Sequence, residues 1–351
     1  MKLRKSVFSV LLPLIAAAAT VQAAPDQDTL VVTASNAAAA NQLLVYDSGG
    51  HLLHTVATQG KGGVSGNAGG IEAQGDMVAV VNYGSQTVSI FQRAGDSFEM
   101  RQTIPTASSP VSVAFGADHL YVLGTTKVES HRIDGSDVRS SLDGVVGLLK
   151  ADGSAAQVGV LPGQLVITEK GSTTGTIETV NLLSDGAVTG VATAVMNIPD
   201  NPLAPFGLVT RGNDAYVTIA HSNEITLVRD GKVLTVTRSD TFTPPQSAPC
   251  WLTLEGPFLF SSNSPSMSIS RYAVYGQKIV QDAAVAATLT GDPTDIAYGA
   301  GLVAVIDGSG HLSIFSVDED GNLTLVKADV IPTAADGVAV VSGDRPGVSI
   351  F

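Results

Sequence analysis

A run of acidic residues near the C-terminal end is the stretch of the sequence that most resembles a metal-binding loop. Residues 317–323 read VDEDGNL, three acids followed by Gly321 and an asparagine. An EF-hand calcium loop needs a glycine at its sixth position and a glutamate at its twelfth. Counted from Asp318, Gly321 is the fourth residue and Asp329 is the twelfth. The stretch therefore predicts an acidic hairpin turn rather than a calcium site.

Other candidate chemistries have simpler interpretations. Residues 60–70 read GKGGVSGNAGG, but they lack the Gly-Lys-Ser/Thr ending and the following helix of a phosphate-binding loop, so they predict a flexible connection. The six histidines never stand at metal-ligand spacing with cysteine or carboxylate partners. Cys250 precedes Trp251 at the start of an apolar run, which is typical of a buried thiol beside a packed indole. We therefore expect no metal and no cofactor.

The turn at Gly321 belongs to a repeat. Equivalent glycines stand between two short runs rich in Val, Ile, Leu or aromatic residues, with the last three intervals each 45 residues long and the others between 40 and 51. Glycine supplies the positive φ of a tight hairpin turn. The predicted hairpin glycines are Gly50, Gly95, Gly135, Gly186, Gly231, Gly276 and Gly321.

A second pattern, a strand–turn–strand unit, precedes each of these hairpins. Its clearest copies are SPVSVAFGADHLYVLG (109–124) and DPTDIAYGAGLVAVID (292–307). Each repeat thus contains four short strands without helical periodicity, and radial repetition of four-stranded sheets is a β-propeller. The first repeat has only three strands, and DGVAVV (336–341) has no repeat of its own. We therefore predict an all-β, seven-bladed propeller whose C-terminal strand pairs beside residues 29–35 and closes the ring.

This topology predicts which turns share a rim. Turns between the second and third strands of the blades lie on the same rim as the connections from blade to blade, opposite the glycine hairpins. We take this rim as the place to search for a site. Its residues are Ser35, Asn36, Asn82, Gly124, Glu169, Lys170, His221, Asn263 and Asp307.

Composition and the N-terminal segment indicate export. The chain begins MKLRKSVFSVLLPLIAAAATVQAAP, a basic start, an apolar run broken by Pro13, and small residues before Ala23. This pattern is typical of a secretory signal peptide. We expect residues 1–23 to be cleaved and residues 24–351 to form a single propeller domain, monomeric, without a membrane span, in the periplasm or outside the cell. The net charge of −13 argues against nucleic acid and anionic lipid as partners.

Several stretches resemble the bacterial lactonase-like, or 3-carboxymuconate-cyclase-like, β-propellers. They are LVITEKGSTTGTIETVNLLSDG, APFGLVTRGNDAYVTI, APCWLTLEGPFLFSSNSPSMSISRYAVYG and VNYGSQTVSIFQR, and the similarity runs from about Gly70 to Phe315. The resemblance implies seven blades and either lactone hydrolysis or lactonising cycloisomerisation. It also implies a catalytic glutamate at the end of the second strand of blade 4, the position of Glu169. The family's Pro-Arg-His run is replaced here by Ala156-Gln157-Val158, and a histidine expected in blade 3 is replaced by Pro110-Val111-Ser112.

Two hypotheses follow. In the first, the protein is a lactonase of 6-phosphogluconolactonase or carboxymuconate-cyclase type, with Glu169 as the base that activates water and with His221 or Gln157 as the oxyanion donor. Lys170 is a poor donor, because strand alternation points it away from Glu169. In the second, it is a non-catalytic exported propeller that binds a small molecule or a protein on its polar rim. The candidate binding residues are Asn82, Gln157, Lys170, His221, Asn263 and Asp307.

Overall fold

The computed structural model describes residues 28–171, 175–198 and 203–343. The predicted signal peptide therefore lies outside the described residues. Within the described ranges, the chain forms seven antiparallel sheets, and these are the blades of a propeller. The predicted seven-bladed, all-β fold is confirmed.

The blades follow one another along the chain, and the strands of each blade run from the innermost, at the ring axis, to the outermost. Blade 1 contains β29 (Asp336–Val341), β1 (Leu30–Ala34), β2 (Gln42–Asp47) and β3 (Leu52–Ala57). Blade 2 contains β4 (Ile71–Gln74), β5 (Met77–Asn82), β6 (Thr87–Ala94) and β7 (Ser97–Pro105). Blade 3 contains β8 (Pro110–Phe115), β9 (His119–Gly124) and β10 (Lys127–Asp134), with its outer edge divided between β11 (Asp137–Val138) and β12 (Gly144–Gly147).

The other four blades each contain four unbroken strands. Blade 4 contains β13 (Ala155–Leu161), β14 (Gln164–Glu169), β15 (Thr176–Leu182) and β16 (Val188–Ala194). Blade 5 contains β17 (Pro205–Arg211), β18 (Asp214–Ile219), β19 (Glu224–Arg229) and β20 (Lys232–Arg238). Blade 6 contains β21 (Pro249–Glu255), β22 (Phe258–Asn263), β23 (Ser268–Tyr275) and β24 (Lys278–Thr288). Blade 7 contains β25 (Pro293–Gly299), β26 (Leu302–Asp307), β27 (His311–Val317) and β28 (Leu323–Val330). Single 3₁₀ turns at Tyr83–Ser85 and Ala220–Ser222 follow the second strands of blades 2 and 5.

The ring closes through the C-terminal strand. β29 pairs antiparallel with β1, and the register places Leu30 opposite Val341 and Val32 opposite Ala339. The predicted closure is thus confirmed. Because both ends of the described chain lie in one blade, neither end leaves a free sheet edge that could pair with another chain.

All seven predicted hairpin glycines adopt positive φ, between 59° at Gly276 and 94° at Gly186. Gly321 is one of them, with φ of 73°. The acidic stretch around it is a turn, since the Asp318 Oδ1 atom accepts the backbone N–H groups of Asp320 at 3.0 Å and Asn322 at 2.8 Å. The carboxylate of Asp318 is therefore used inside the turn, as carboxylates often are in Asx turns.

The core lies between the blades. Every residue of β5, β9, β18 and β26 is buried, because each second strand is covered on both faces by neighbouring blades. The outer strands alternate instead, as in β20, where exposed residues such as Leu234 and Val236 stand between more buried ones. No helix among the described residues is long and apolar enough to cross a membrane.

Candidate functional site

The innermost strands of the seven blades surround a central channel. It encloses a cavity of about 340 Å³ that is lined by all seven of these strands. Most of the lining consists of small or aliphatic residues. The polar and aromatic side chains on it are those of Glu72, Phe115, Gln157, Thr210, Trp251, Thr253, Asp295 and Tyr298.

Three of these polar side chains bind the free edge of an adjacent blade. The innermost strand of a sheet leaves N–H groups unpaired toward the channel, and these groups need acceptors when they are buried. The Phe115 N–H donates to Glu72 Oε2 at 3.0 Å, and the Leu208 N–H donates to Gln157 Oε1 at 2.6 Å. Asp295 Oδ2 accepts the Val338 N–H at 3.2 Å. Glu72, Gln157 and Asp295 therefore link blades 2 to 3, 4 to 5 and 7 to 1.

Residues 64–70, which we call the plug, extend from the blade 1–blade 2 connection across one end of the channel. The Asn67 side-chain amide donates to the Val111 carbonyl in blade 3. The Trp251 indole N–H in blade 6 donates to the Asn67 carbonyl at 2.9 Å, and the Ala68 N–H donates to Ala156 in blade 4 at 3.2 Å. The segment joins blades 1 and 2, as predicted, but it is anchored to three others and closes the rim that carries the second-to-third turns.

Lys170 fastens the outer side of the plug. Its ammonium group donates to the carbonyls of Gly66 and Ser65 and lies 5.7 Å from the centre of the Phe206 ring. Burial lowers the pKa of Lys170, while the charge of Asp336 acts in the opposite direction. Glu169, the preceding residue, contacts a different part of the molecule, so the expectation that strand alternation separates the two side chains is confirmed.

Two aspartates lie beneath the plug at the beginning of innermost strands. Burial raises the pKa of Asp295 to about 8, and the charge of Asp336 adds to the shift, while backbone N–H groups oppose it. Burial likewise raises the pKa of Asp336 to about 7, against the effects of the Asn67 amide and the Lys170 charge. The Asp336 Oδ2 and Asn67 Oδ1 atoms are buried and have no hydrogen-bond partner among the described residues. This end of the channel therefore holds unused acceptors.

Glu72 is the third acidic group of the channel. Burial raises its pKa to about 8, and the hydrogen bond from the Phe115 N–H opposes that shift. The other oxygen, Oε1, takes no part in this hydrogen bond. The carboxyl group of Glu72 thus links blades 2 and 3 through one oxygen and also lines the channel.

Glu169 lies at the interface between blades 3 and 4, outside the residues that line the cavity. Its side chain is fully buried, and Oε1 accepts the Lys150 N–H at 3.2 Å from the connection that enters blade 4. The next strand contributes Glu178, whose Oε2 accepts the Leu149 N–H at 2.9 Å. Two buried carboxyl groups thus hold one connecting segment.

Burial favours the protonated form of both glutamates. Burial raises the pKa of Glu169 to about 8, and the charge of Glu178 adds to this effect. Burial raises the pKa of Glu178 to about 7. Glu169 Oε2 and Glu178 Oε1 are both buried without a partner among the described residues. A carboxyl group with a pKa near neutrality is suited to proton transfer, and whether Glu169 acts as a base stays a prediction.

The other residues predicted on the rim do not converge on one site. Asn82 is fully buried, donates to Ser89 Oγ at 2.8 Å and accepts from Thr58 Oγ1 at 2.8 Å. Asn263 is buried in the same way and donates to Ser270 Oγ at 2.8 Å. These amides hold turns and neighbouring strands in place.

Asp307 and His221 complete the predicted rim residues. Asp307 is buried and accepts the backbone N–H groups of Ser309 at 2.9 Å and His311 at 3.0 Å. His221 is exposed. Of the six predicted binding residues, Gln157 and Lys170 are the two that lie at the plugged end of the channel, Gln157 on its wall and Lys170 against the plug.

Sequence reasoning missed Asn67, Glu72, Asp295 and Asp336. A signal for two of them is present, because Glu72 and Asp295 interrupt otherwise apolar or small-residue segments in the position of an innermost strand, within GGIEAQG and DPTDIAYG. A carboxylate in a strand that is buried on both faces needs a partner or a shifted pKa. Asn67 lies in the connection between blades 1 and 2, and Asp336 is the first residue of the closing strand. Neither position has a sequence pattern that would single out its side chain.

Comparisons with known proteins define the fold. No family model matches the sequence. No curated protein matches it either. Among solved structures, a presumed 6-phosphogluconolactonase from Bacteroides uniformis superposes with a TM-score of 0.66 at 14% identity, covering 90% of this chain and 100% of that one. A second presumed 6-phosphogluconolactonase, from Bacteroides fragilis, gives a TM-score of 0.63 at 14% identity, covering 90% and 98%.

Virginiamycin B lyase from Staphylococcus aureus is a further structure with the same fold. Its TM-score is 0.57 at 13% identity, and the superposition covers 79% of this chain and 92% of that one. At such identities the similarity concerns architecture. The chain shares the β-propeller fold of these structures, and the fold that the sequence resemblance implied is confirmed.

Proposed function

We propose that the protein is a non-catalytic, lactonase-like β-propeller that binds a small molecule in its central channel. The observation that carries the proposal is the cavity of about 340 Å³, whose wall combines small aliphatic side chains and polar backbone groups with three aromatic residues and a few polar side chains. Small-molecule sites are usually concave and mostly apolar with a small number of polar groups. The buried amides and carboxylate of the predicted rim are instead engaged in internal hydrogen bonds.

The plug determines the direction of access in this proposal. Because residues 64–70 are bonded across the rim of the second-to-third turns, a ligand enters from the rim of the glycine hairpins. Tyr298 and Thr210, near the ends of β25 and β17, lie toward that opening, and Asp295 lies at the closed end. The site would then be a blind channel.

The only tryptophan provides the test, because Trp251 lines the cavity. A metabolite library that includes lactones is titrated while the Trp251 fluorescence and the melting temperature are recorded. A ligand at 100 times its Kd should stabilise the fold by about 2.7 kcal/mol. Thr253→Val, on the channel wall, should weaken binding, whereas His221→Ala, on the opposite rim, should leave it unchanged. The reverse pattern would place the ligand on the rim and refute the proposal.

Lactone hydrolysis, or the related lactonising cycloisomerisation, is the second candidate, and the raised pKa of Glu169 with its unpartnered oxygen favours it. The superposed structures named as presumed 6-phosphogluconolactonases are consistent with this chemistry. In this candidate, Glu169 is the base, and a substrate has to reach it between blades 3 and 4. A panel of lactones is the direct assay.

The decisive variant for this candidate is Glu169→Gln. General-base assistance contributes about 10²–10⁴ in rate, so the variant should lose activity on that scale while keeping its melting temperature within a few degrees. Glu178→Gln is the matched control, because it changes the same charge at the same interface. If the wild type hydrolyses a lactone and both variants match its rate, Glu169 is not the base.

We also propose that the chain is exported to the periplasm or beyond. The support is the basic start, the apolar run and the small residues before Ala23. Expression in a Gram-negative host followed by mass measurement of the periplasmic and medium fractions should give a chain that begins at Ala24. Recovery of an uncleaved chain in the cytoplasm alone would contradict export.

A further inference from the structure

The acidic residues of the channel limit which ligands it could bind by their charge. This inference rests on the proposed channel site. Among the described residues that line the cavity there are two carboxyl groups, Glu72 and Asp295, and no Lys, Arg or His. The charge of Asp336 acts on Asp295. The lining carboxyl groups are mostly protonated at neutral pH, because burial raises their pKa to about 8, and above that pH the channel carries their negative charge without a cation among its described lining residues.

Lys170, at the plugged end of the channel, does not compensate for these groups inside the cavity. The Lys170 ammonium is held by the plug carbonyls of Ser65 and Gly66 and is not part of the lining. A ligand that carries a phosphate or carboxylate would lose its hydration and meet further acids, with no partner for its charge. Anionic ligands, including phosphorylated sugars and dicarboxylates, are thus disfavoured in this channel.

An ammonium group meets the opposite conditions. It supplies positive charge and donors, and Glu72 lines the cavity with an oxygen, Oε1, that the link to blade 3 does not use. Trp251, Tyr298 and Phe115 also line the cavity, and aromatic faces attract organic cations. We propose that the central channel binds small organic ammonium ions, with Glu72 as their principal counter-ion.

The test compares probes of equal size and different charge on the intact mature chain. Butylammonium, tetramethylammonium, 1-butanol and butyrate are titrated at pH 9, where the lining carboxyl groups are ionised, with Trp251 fluorescence and melting temperature as readouts. We expect saturable binding of butylammonium and no response to butyrate. If 1-butanol or butyrate binds as tightly as butylammonium, the proposal of an ammonium site is overturned while a ligand-binding channel remains. If these probes and the metabolite library all leave both readouts unchanged, the proposed channel function itself fails.

Substitution of Glu72 locates the binding site. Glu72→Gln keeps an oxygen that can accept the Phe115 N–H, so the link between blades 2 and 3 is retained. It should weaken butylammonium binding at least tenfold. Glu99→Gln, an exposed acid on the outer strand of the same blade, should bind butylammonium like the wild type. Equal affinity in wild type and Glu72→Gln would overturn the assignment of Glu72, and circular dichroism verifies that the variant is folded. If Glu72→Gln does not fold, the charge comparison among probes on the unmodified protein still decides the proposal.

Discussion

The molecule contains two pairs of buried carboxyl groups that share a pKa range but differ in how they are built. Asp295 and Asp336 lie at the closed end of the channel on strands from two blades, β25 and β29. Glu169 and Glu178 lie between blades 3 and 4 on one hairpin, β14 and β15. In both pairs, burial is the largest cause of the raised pKa.

The pairs differ in whether they reach the cavity and in which groups they contact. Asp295 lines a cavity, whereas Glu169 and Glu178 are packed against the backbone N–H groups of Leu149 and Lys150 and line none. A raised pKa thus identifies groups that are costly to ionise, but it does not distinguish a ligand site from a structural support. Geometry has to make that distinction, and it favours the channel as the site.

The largest expected effect comes from removing the strand that carries one member of the channel pair, Asp336. Deleting residues 336–351 removes β29 and with it Asp336 and the innermost strand of blade 1. We expect cooperative thermal unfolding to be lost, because the ring opens and the apolar residues of β1 lose a partner strand. Deletion of residues 344–351 is the control, since β29 ends at Val341. If the longer deletion unfolds as sharply and at the same temperature as the wild type, ring closure contributes nothing to stability.

The sequence was sufficient to predict the architecture, because each hairpin needs a glycine at positive φ and each strand corresponds to a short apolar run in the sequence. The closing strand was predictable for the same reason, since 336–341 has the pattern of an innermost strand and no blade of its own. The channel pair was not, because Asp295 and Asp336 become neighbours only when the ring closes. The role of residues 64–70 was also hidden, since their small side chains give no pattern and their backbone makes most of the contacts.

The next effect concerns pH, and it involves both pairs. In the unfolded chain these carboxyl groups titrate near pH 4, whereas in the folded protein their pKa values are about 7 to 8. Below about pH 4 both states are protonated, and the stabilising contribution is fully present. As the pH rises through about 8, the folded groups must finally ionise, so the contribution is lost. We expect the melting temperature to fall by at least about 5 °C between pH 5 and pH 9.

Amide variants separate the two contributions to this pH dependence. Asp295→Asn and Asp336→Asn combined with Glu72→Gln should remove the part of the slope that comes from the channel. Glu169→Gln with Glu178→Gln should remove the part from the blade interface. The exposed Glu99→Gln variant should retain the full slope. A melting temperature that is constant or rises from pH 5 to pH 9 in the wild type would be incompatible with buried, protonated carboxyl groups.

The smallest expected effect comes from the two lysines that accompany the pairs. The charge of Lys170 lowers the pKa of Asp336, and the charge of Lys150 lowers the pKa of Glu169. Both lysines are half-buried, so replacement of either by Met should change the free energy of unfolding by about 1 kcal/mol or less. The informative result is instead which carboxyl group changes its pKa in each variant.

Lys170→Met should raise the pKa of Asp336 and leave those of Glu169 and Glu178 unchanged. Lys150→Met should raise the pKa of Glu169 and leave that of Asp336 unchanged. Carboxyl ¹³C chemical shifts followed from pH 5 to pH 9 measure each group separately. Lys170→Met should also alter the Trp251 fluorescence. The Lys170 ammonium binds the plug, and the Asn67 carbonyl of the plug accepts the Trp251 indole N–H. Lys150→Met should not alter it. If either variant shifts all four carboxyl groups together, the two pairs are one coupled system, and the distinction between channel and interface has to be abandoned.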